Sequence, residues 1–308
     1  MLCFSCVIEE HIPPSFRLDR YISEILNILS RSQIKARNLK AKINGKEVKI
    51  SRLVKQGDHL EMFWEDSPPV DIIPQDIPLE IIYEDEKCVV VNKIQGMVVH
   101  PGAGNRQGTL ANALYYRRLN FGGGEIKDSV RPGIVHRLDK ETSGIIIAAY
   151  DEQTHAFLAQ QFKERKVQKN YIAIINGTPK NIKGRIETFI ARDPKNRKRF
   201  TVSTYGKNAV TFYKVIKSWQ THSLVLLRPR TGRTHQLRVH LQYIGHPILG
   251  DPVYGCGEKQ FPDVSLMLHS KSLKITLPGT TESCIFKSVI PDRFTAVIHT
   301  LDRINGKR

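Results

Sequence analysis

No stretch of this chain approaches the ~18 uncharged apolar residues that a membrane-crossing helix needs, so none is expected. Cysteine is sparse and odd in number: five residues, Cys3, Cys6, Cys88, Cys256 and Cys284, are scattered through 308. That spacing implies no disulfide framework and fits reduced thiols in a cytosol. Cys3 and Cys6 form a C-x2-C pair, but no second pair or Cys/His partner follows at finger spacing, so no zinc site is expected. The opening "MLCFSCVIEEHIPP" is apolar yet lacks a basic start, and Glu9 and Glu10 interrupt it too early for a secretory signal. Gly102, Gly104 and Gly108 fall as G-x-G-x-x-x-G, which is neither the dinucleotide fingerprint nor a P-loop; "HPGAGNRQG" reads as a tightly turning loop. His136, His235, His240 and His246 show no H-E-x-x-H or comparable spacing, so the expectation is no metal. Repeats and low-complexity tracts are absent too.

Acidic residues are the last shortage: 30 Asp and Glu against 47 Lys and Arg leave a net charge of +17. An excess of that size favours a polyanionic partner, because each phosphate neutralised releases condensed counterions. Nucleic acid is the first candidate and an acidic membrane surface the second.

The chain is long enough for two domains. Residues 16–64 read as a small basic module. Leu18, Ile22, Ile25, Leu26 and Leu29 recur at helical spacing, and Ser30 or Ser32 can cap a second short helix in "SRSQIKARNL". "AKINGKEVKI" is a hairpin signal, with Asn44-Gly45 supplying the positive φ angles of a primed turn. From Arg17 to Lys55 eleven Lys or Arg face three acids (Asp19, Glu24, Glu47), which favours phosphate contact over a merely solvated surface. Residues 65–78, "EDSPPVDIIPQDIP", read as a linker. From 79 to 308 strands and helices mix: strands at 88–93, 144–150, 171–177, 209–217 and 223–229, and helices at 109–119, 151–165 and from Thr234. This order argues for α+β architecture rather than a doubly wound parallel sheet.

The most charged knot at a core edge is "GIVHRLDKETSGIII" (133–147). Asp139 follows Ile134-Val135 and precedes Ile145 to Ile147, so its backbone is anchored in core while its carboxylate can face a cleft. A carboxylate half removed from water must be paired or give up its charge. Arg137 is the local partner; Arg233 and Arg238, in "TGRTHQLRVH", are the distant ones. On residues alone, a structural ion pair and a catalytic group stand level.

"GIVHRLDKETSGIIIAA" closely resembles the signature of the RluA-type pseudouridine synthases, which isomerise uridine in RNA. "VVVNKIQGMVVHPGAGNRQGTLANAL" (89–114), "QKNYIAIING" (168–177), "GKNAVTFYKV" (206–215) and "RPRTGRTHQLRVHLQYIGHPILGDPVYG" (228–255) match the same family in the same order. The resemblance implies the pseudouridine synthase fold, with a central, largely antiparallel mixed sheet. It makes Asp139 the essential aspartate, Tyr171 the tyrosine against the target base and Arg238 the partner of the carboxylate. Arg137 would take the place of the flipped nucleotide. His136, Arg233 and His235 would shape the substrate site, together with Gly232. The "HPGAGN" and "GDPVYG" stretches look most like the subgroup acting on large-subunit ribosomal RNA, and the basic module is similar to an S4 RNA-binding domain. Its S4-like segment is short and lacks the usual glycine before the hairpin, and Tyr150 stands where many relatives carry lysine.

What this implies is a cytoplasmic, monomeric enzyme that uses no cofactor and no metal. Its partner is RNA, ribosomal RNA or a large-subunit precursor, and neither DNA nor a membrane. Two rivals stand beside it. A tRNA-modifying relative would share the whole catalytic domain. A non-catalytic S4-type RNA-binding factor would explain the charge but not an aspartate, tyrosine and arginine in family register.

Overall fold

The computed structural model describes residues 2–305, apart from 9–15, 27, 30–33, 35–36, 65–71, 103, 122–132, 197, 256 and 258–259. Two compact units divide the chain at Asp71 and Ile72. The second short helix expected in "SRSQIKARNL" and the first half of the linker expected over 65–78 fall largely outside the described residues. The second half of that linker is packed on the second unit rather than free, with Ile72 buried beside Val89 and Leu110 and the Gln75 amide bonded to the Asn112 carbonyl.

In the first unit, β1 (Leu2–Val7), β2 (Lys40–Ile43), β3 (Lys46–Val48) and β4 (His59–Trp64) form an antiparallel sheet ordered β1-β4-β2-β3. Its inner face follows the two-residue alternation of a half-buried strand: Ala41 and Ile43 on β2, and Leu60, Met62 and Trp64 on β4, are buried against Leu18 and Ile22. Asn44 and Gly45, at φ 51° and 75°, make the expected turn. Two features differ from the sequence reading. Strand β1 lies before residue 16, because its hydrogen-bonding partner is β4, more than fifty residues away. The first helix is a short α1 (Leu18–Arg20) that widens into a π turn over Tyr21–Ile25, where the Leu26 amide bonds the Tyr21 carbonyl.

The second unit is built on a ten-stranded sheet. Its strands are β5 (Glu80–Glu84), β6 (Cys88–Lys93), β7 (Ser143–Ala149), β8 (Gln168–Asn176), β9 (Lys183–Arg192), β10 (Phe200–Ser203), β11 (Lys207–Ser218), β12 (His222–Pro229), β13 (Leu268–Thr276) and β14 (Ser283–Lys287). Their order is β10-β9-β11-β12-β8-β13-β7-β6-β5, with β14 beside β13. All pairings are antiparallel except β13 with β7. The helices are α2 (Leu110–Phe121), α3 (Glu152–Lys163), α4 (Gln236–Tyr243) and α5 (Asp292–Asn305). Strands and helices are thus mixed around one largely antiparallel sheet, the α+β architecture expected.

Strands β6 and β7 are continuous apolar runs because both faces are covered. Val89, Val91, Ile146 and Ala148 pack with Leu110 and Leu114 of α2; Cys88, Val90, Ile145 and Ile147 pack with Leu158 of α3 and Phe286 of β14. Helix α3 starts where the Asp151 carboxylate accepts the Thr154 amide at 2.7 Å, an N-cap worth about 1 kcal/mol. Helix α5, absent from the sequence reading, buries Phe294, Val297 and Leu301 against the largest core cluster. Each such side chain contributes about 2 kcal/mol.

The parallel pair is brief. Strand β13 meets β7 at two positions, His269 with Ser143 and Ser270 with Gly144, and then turns to β14. The vacated edge of β7 is taken by residues 133–136: the Ala149 amide bonds the Gly133 carbonyl, and Ile134 bridges Ala148. The sheet therefore opens on that side, and the turn containing Asp139 emerges at the opening.

Candidate active site

Both glycines that bracket the charged knot are dictated by close backbone approach. A Cβ on Gly133 (φ 57°) would lie 1.7 Å from the Ala149 carbonyl oxygen, and one on Gly144 (φ 111°) would lie 2.3 Å from that of Ser270. Between them Leu138 is anchored in the core, and the two residues after Asp139 are held by their carbonyls. The Lys93 ammonium, 1% exposed, donates to the carbonyls of Ile94, Met97 and Lys140, and Gln95 donates to that of Glu141. Burial lowers the Lys93 pKa to about 8, against the pull of Glu141 and Asp139. Asp139 is thus fixed from both sides while its carboxylate stays 20% exposed.

It opens into a cleft of about 540 Å³. All seven site residues expected from the sequence line this cleft: His136, Arg137, Asp139, Tyr171, Arg233, His235 and Arg238. Asp139 is the one carboxylate among the described lining residues, set amid Lys163, Arg165, Lys169, Arg230 and Arg233. Tyr171 is buried at the cleft wall, and burial pushes its phenol up to about 12. Arg137 is exposed and makes no ion pair among the described residues, so the local partner for Asp139 is ruled out in this geometry.

Arg238 stands on α4, and its position corrects the expected pairing in part. Its Nη1 lies 3.7 Å from Asp139 Oδ2, a single long contact. Its fork is engaged elsewhere: Nε and Nη2 each donate to Asp251 at 2.7 Å. The Asp251 side chain is 0% exposed and also accepts the amides of Val253 and Tyr254. Burial alone would raise this carboxyl; the Arg238 hydrogen bonds and charge outweigh that and hold it below the usual range. Asp251 sits in the quoted "GDPVYG", yet sequence reasoning gave it no role. A rule was available: an arginine on the buried face of a helix must find a carboxylate.

The loop before α4 is pinned by Gln236, whose every polar atom is used. Its Oε1 accepts from the Thr231 hydroxyl and the Arg233 amide, and its Nε2 donates to the Val210 carbonyl and Thr211. The helix therefore starts at Gln236 rather than Thr234, because His235 is held at φ 56°, a region a non-glycine residue seldom occupies. His235 Nδ1 meets the Tyr254 hydroxyl at 2.9 Å, while Nε2 faces Asp139 at 4.0 Å. That hydroxyl already accepts the Phe200 amide and can donate to Nδ1, which leaves the proton on Nε2. Burial lowers the His235 pKa despite the facing aspartate. Arg233 donates from Nε to the Asn208 carbonyl. His136 faces inward: its Nε2 accepts the Ile147 amide at 3.0 Å, its ring stacks on Phe162, and burial lowers its pKa to about 3. No group of three His, Cys, Asp or Glu placed to hold a metal occurs among the described residues.

A cleft with one reachable carboxylate, a tyrosine wall and a rim of cations defines an enzyme site for an anionic substrate. The chain belongs to the RNA pseudouridylate synthase family, whose profile matches residues 87–243. It is 45% identical to the ribosomal large subunit pseudouridine synthase D of Borreliella burgdorferi, over 91% of this chain and 88% of that one. With an uncharacterized RNA pseudouridine synthase of Bacillus subtilis it shares 37% identity over 95% and 96% of the two chains. Among solved structures, human RNA pseudouridylate synthase domain containing 4 matches with a TM-score of 0.58 and 28% identity, covering 72% of this chain and 92% of that one.

Proposed function

We propose that this chain converts uridine to pseudouridine in large-subunit ribosomal RNA, with Asp139 as the reactive carboxylate. The observation that carries the reading is the placement of Asp139, fixed by its backbone yet open to a cationic cleft, in a chain 45% identical to a named ribosomal large subunit synthase.

The reaction breaks the bond from N1 to C1', turns the uracil over and joins C5 to C1'; C5 gives up a proton and N1 takes one. Nothing is oxidised or transferred from a donor, so the work is positional. Asp139 acts as nucleophile or base. Arg238 sets a positive charge beside it, and Tyr171 offers the detached uracil a surface on which to turn. The target must first leave its stack, at a cost of a few kcal/mol. Exposed Arg137 at the cleft rim is suited to fill the vacancy. His136, neutral and bonded to Ile147, positions the turn rather than touching substrate. Arg233 and His235 shape the pocket wall. The module expected over 16–64, extended by β1 to Leu2, serves as an S4-like RNA-binding unit, and the catalytic domain expected over 79–308 takes in residues 72–78 as well. The enzyme works in the cytoplasm as a monomer, without cofactor.

Carbodiimide mapping of pseudouridines in ribosomal RNA and tRNA, with and without the gene, tests this. Loss of signal at large-subunit uridines is expected; loss confined to tRNA would redirect the substrate, and no loss in either would overturn the reading.

A further inference from the structure

Lys169 is not among the residues the sequence singled out, yet it shares their cleft. Alternation along β8 turns Lys169 and Tyr171 to the same side, and both line the cavity. Its ammonium stands 5.8 Å above the Phe162 ring centroid, and no carboxylate pairs with it among the described residues. Burial lowers its pKa and no acidic neighbour opposes that, while the adjacent His136 is neutral. A half-buried cation without a counter-charge is costly unless a ligand brings one.

Gly232 lies across from it. Its backbone does not occupy the positive-φ region, so conformation does not demand glycine there. A Cβ at this position would stand 3.7 Å from Lys169 Nζ, and the missing side chain leaves the ammonium open to the cavity. Two residues of strand set Lys169 about 7 Å from Tyr171, comparable to the reach from a base to the phosphate of its own nucleotide.

We propose that Lys169 is the anchor for a phosphodiester flanking the target uridine, binding the backbone while Tyr171 faces the base. This rests on the RNA-modifying reading above. Arg165, held at φ 59° on the rim of the same cleft, extends the cationic path outward.

The test pairs the full chain and its Lys169→Met and Lys169→Arg variants with a synthetic stem-loop carrying the mapped uridine. The two phosphates flanking that uridine are replaced singly by neutral methylphosphonate. For one position, wild type should bind the neutralised RNA about tenfold more weakly, Lys169→Met should show the same loss on unmodified RNA, and the two losses should not add. Lys169→Arg should keep the coupling, and the salt slope of binding should fall by about one in Lys169→Met. Should Lys169→Met fail to fold, Gly232→Val, which leaves the lysine in place but shields it, should abolish the same coupling. Additive losses at both positions, or wild-type coupling in Gly232→Val, would overturn the proposal. Wild type inactive on every RNA would instead sink the functional reading.

Discussion

Two carboxylates share the guanidinium of Arg238, and they are treated in opposite ways. Asp251 is fully buried, takes both arms of the fork at 2.7 Å and accepts two backbone amides. Asp139 is 20% exposed and receives one contact at 3.7 Å. The difference separates two tasks that one ion pair could not perform together. A carboxylate saturated with hydrogen bonds has no lone pair left for a substrate, whereas one without any fixed cation nearby has no preferred geometry. Here Asp251 fixes the arginine, and the arginine, already held, presents charge to Asp139 without enclosing it.

The largest effect expected from breaking this arrangement is on catalysis. Asp139→Asn should lower the rate of pseudouridine formation by at least a thousandfold, about 4 kcal/mol, while leaving RNA affinity and stability nearly intact. Radiochemical release from C5-tritiated RNA, with filter binding and a urea melt, reads all three. Full activity would remove Asp139 from the reaction.

Asp251→Asn should do the reverse first. It leaves a buried guanidinium without its counter-charge, which should cost about 3 kcal/mol of stability in urea unfolding. Activity should fall as a consequence, because Arg238 is no longer held. If Asp251→Asn were as stable as wild type but inactive, Asp251 would be a participant in the reaction and the division of labour would be wrong.

The same contrast shows what the sequence could and could not convey. Asp139 was legible as a charged group at a core edge because that signature is local, apolar runs on both sides with a charged knot between. On residues alone it left an ion pair and a catalytic group level, and only the family resemblance favoured the second. The runs 88–93 and 144–150 and the alternation in "AKINGKEVKI" gave their strands because their signatures are local too. Asp251 was not legible as a partner, since the bond joining it to Arg238 is made by the fold and leaves no periodic trace. Strand β1 escaped because its partner is β4, far along the chain. Strand β9 carries a two-residue alternation of Ile186, Thr188 and Ile190, blurred by the polar Thr188 on its buried face and by the exposed apolar Phe189 on the other. Helix α5 is a different case: Phe294, Val297 and Leu301 fall at helical spacing, and the signal was present but unread. Tyr150, noted in the sequence as a departure from the family pattern, is satisfied locally. Its hydroxyl donates to Glu84, which Arg117 also holds.

The smallest expected effect concerns the buried scaffold around Arg238 rather than the side that faces Asp139. His240, two residues further along α4, is fully buried between the hydroxyls of Thr188 and Thr211, and burial lowers its pKa from 6.5 to about 4. Between those values the unfolded chain binds a proton that the folded chain does not. The stability this histidine contributes is therefore complete above pH 6.5 and is lost as pH falls toward 4. His136 and His269 are lowered by burial in the same sense and steepen the same window. Urea melts across it should show stability falling with acidification, and His240→Gln should reduce the slope by about 1.4 kcal/mol per pH unit. An unchanged slope would mean that His240 does not titrate with unfolding. A reduced slope together with an unchanged pH profile of turnover would separate the two sides of Arg238 once more: acid would act on the buried support, leaving Asp139 as it was.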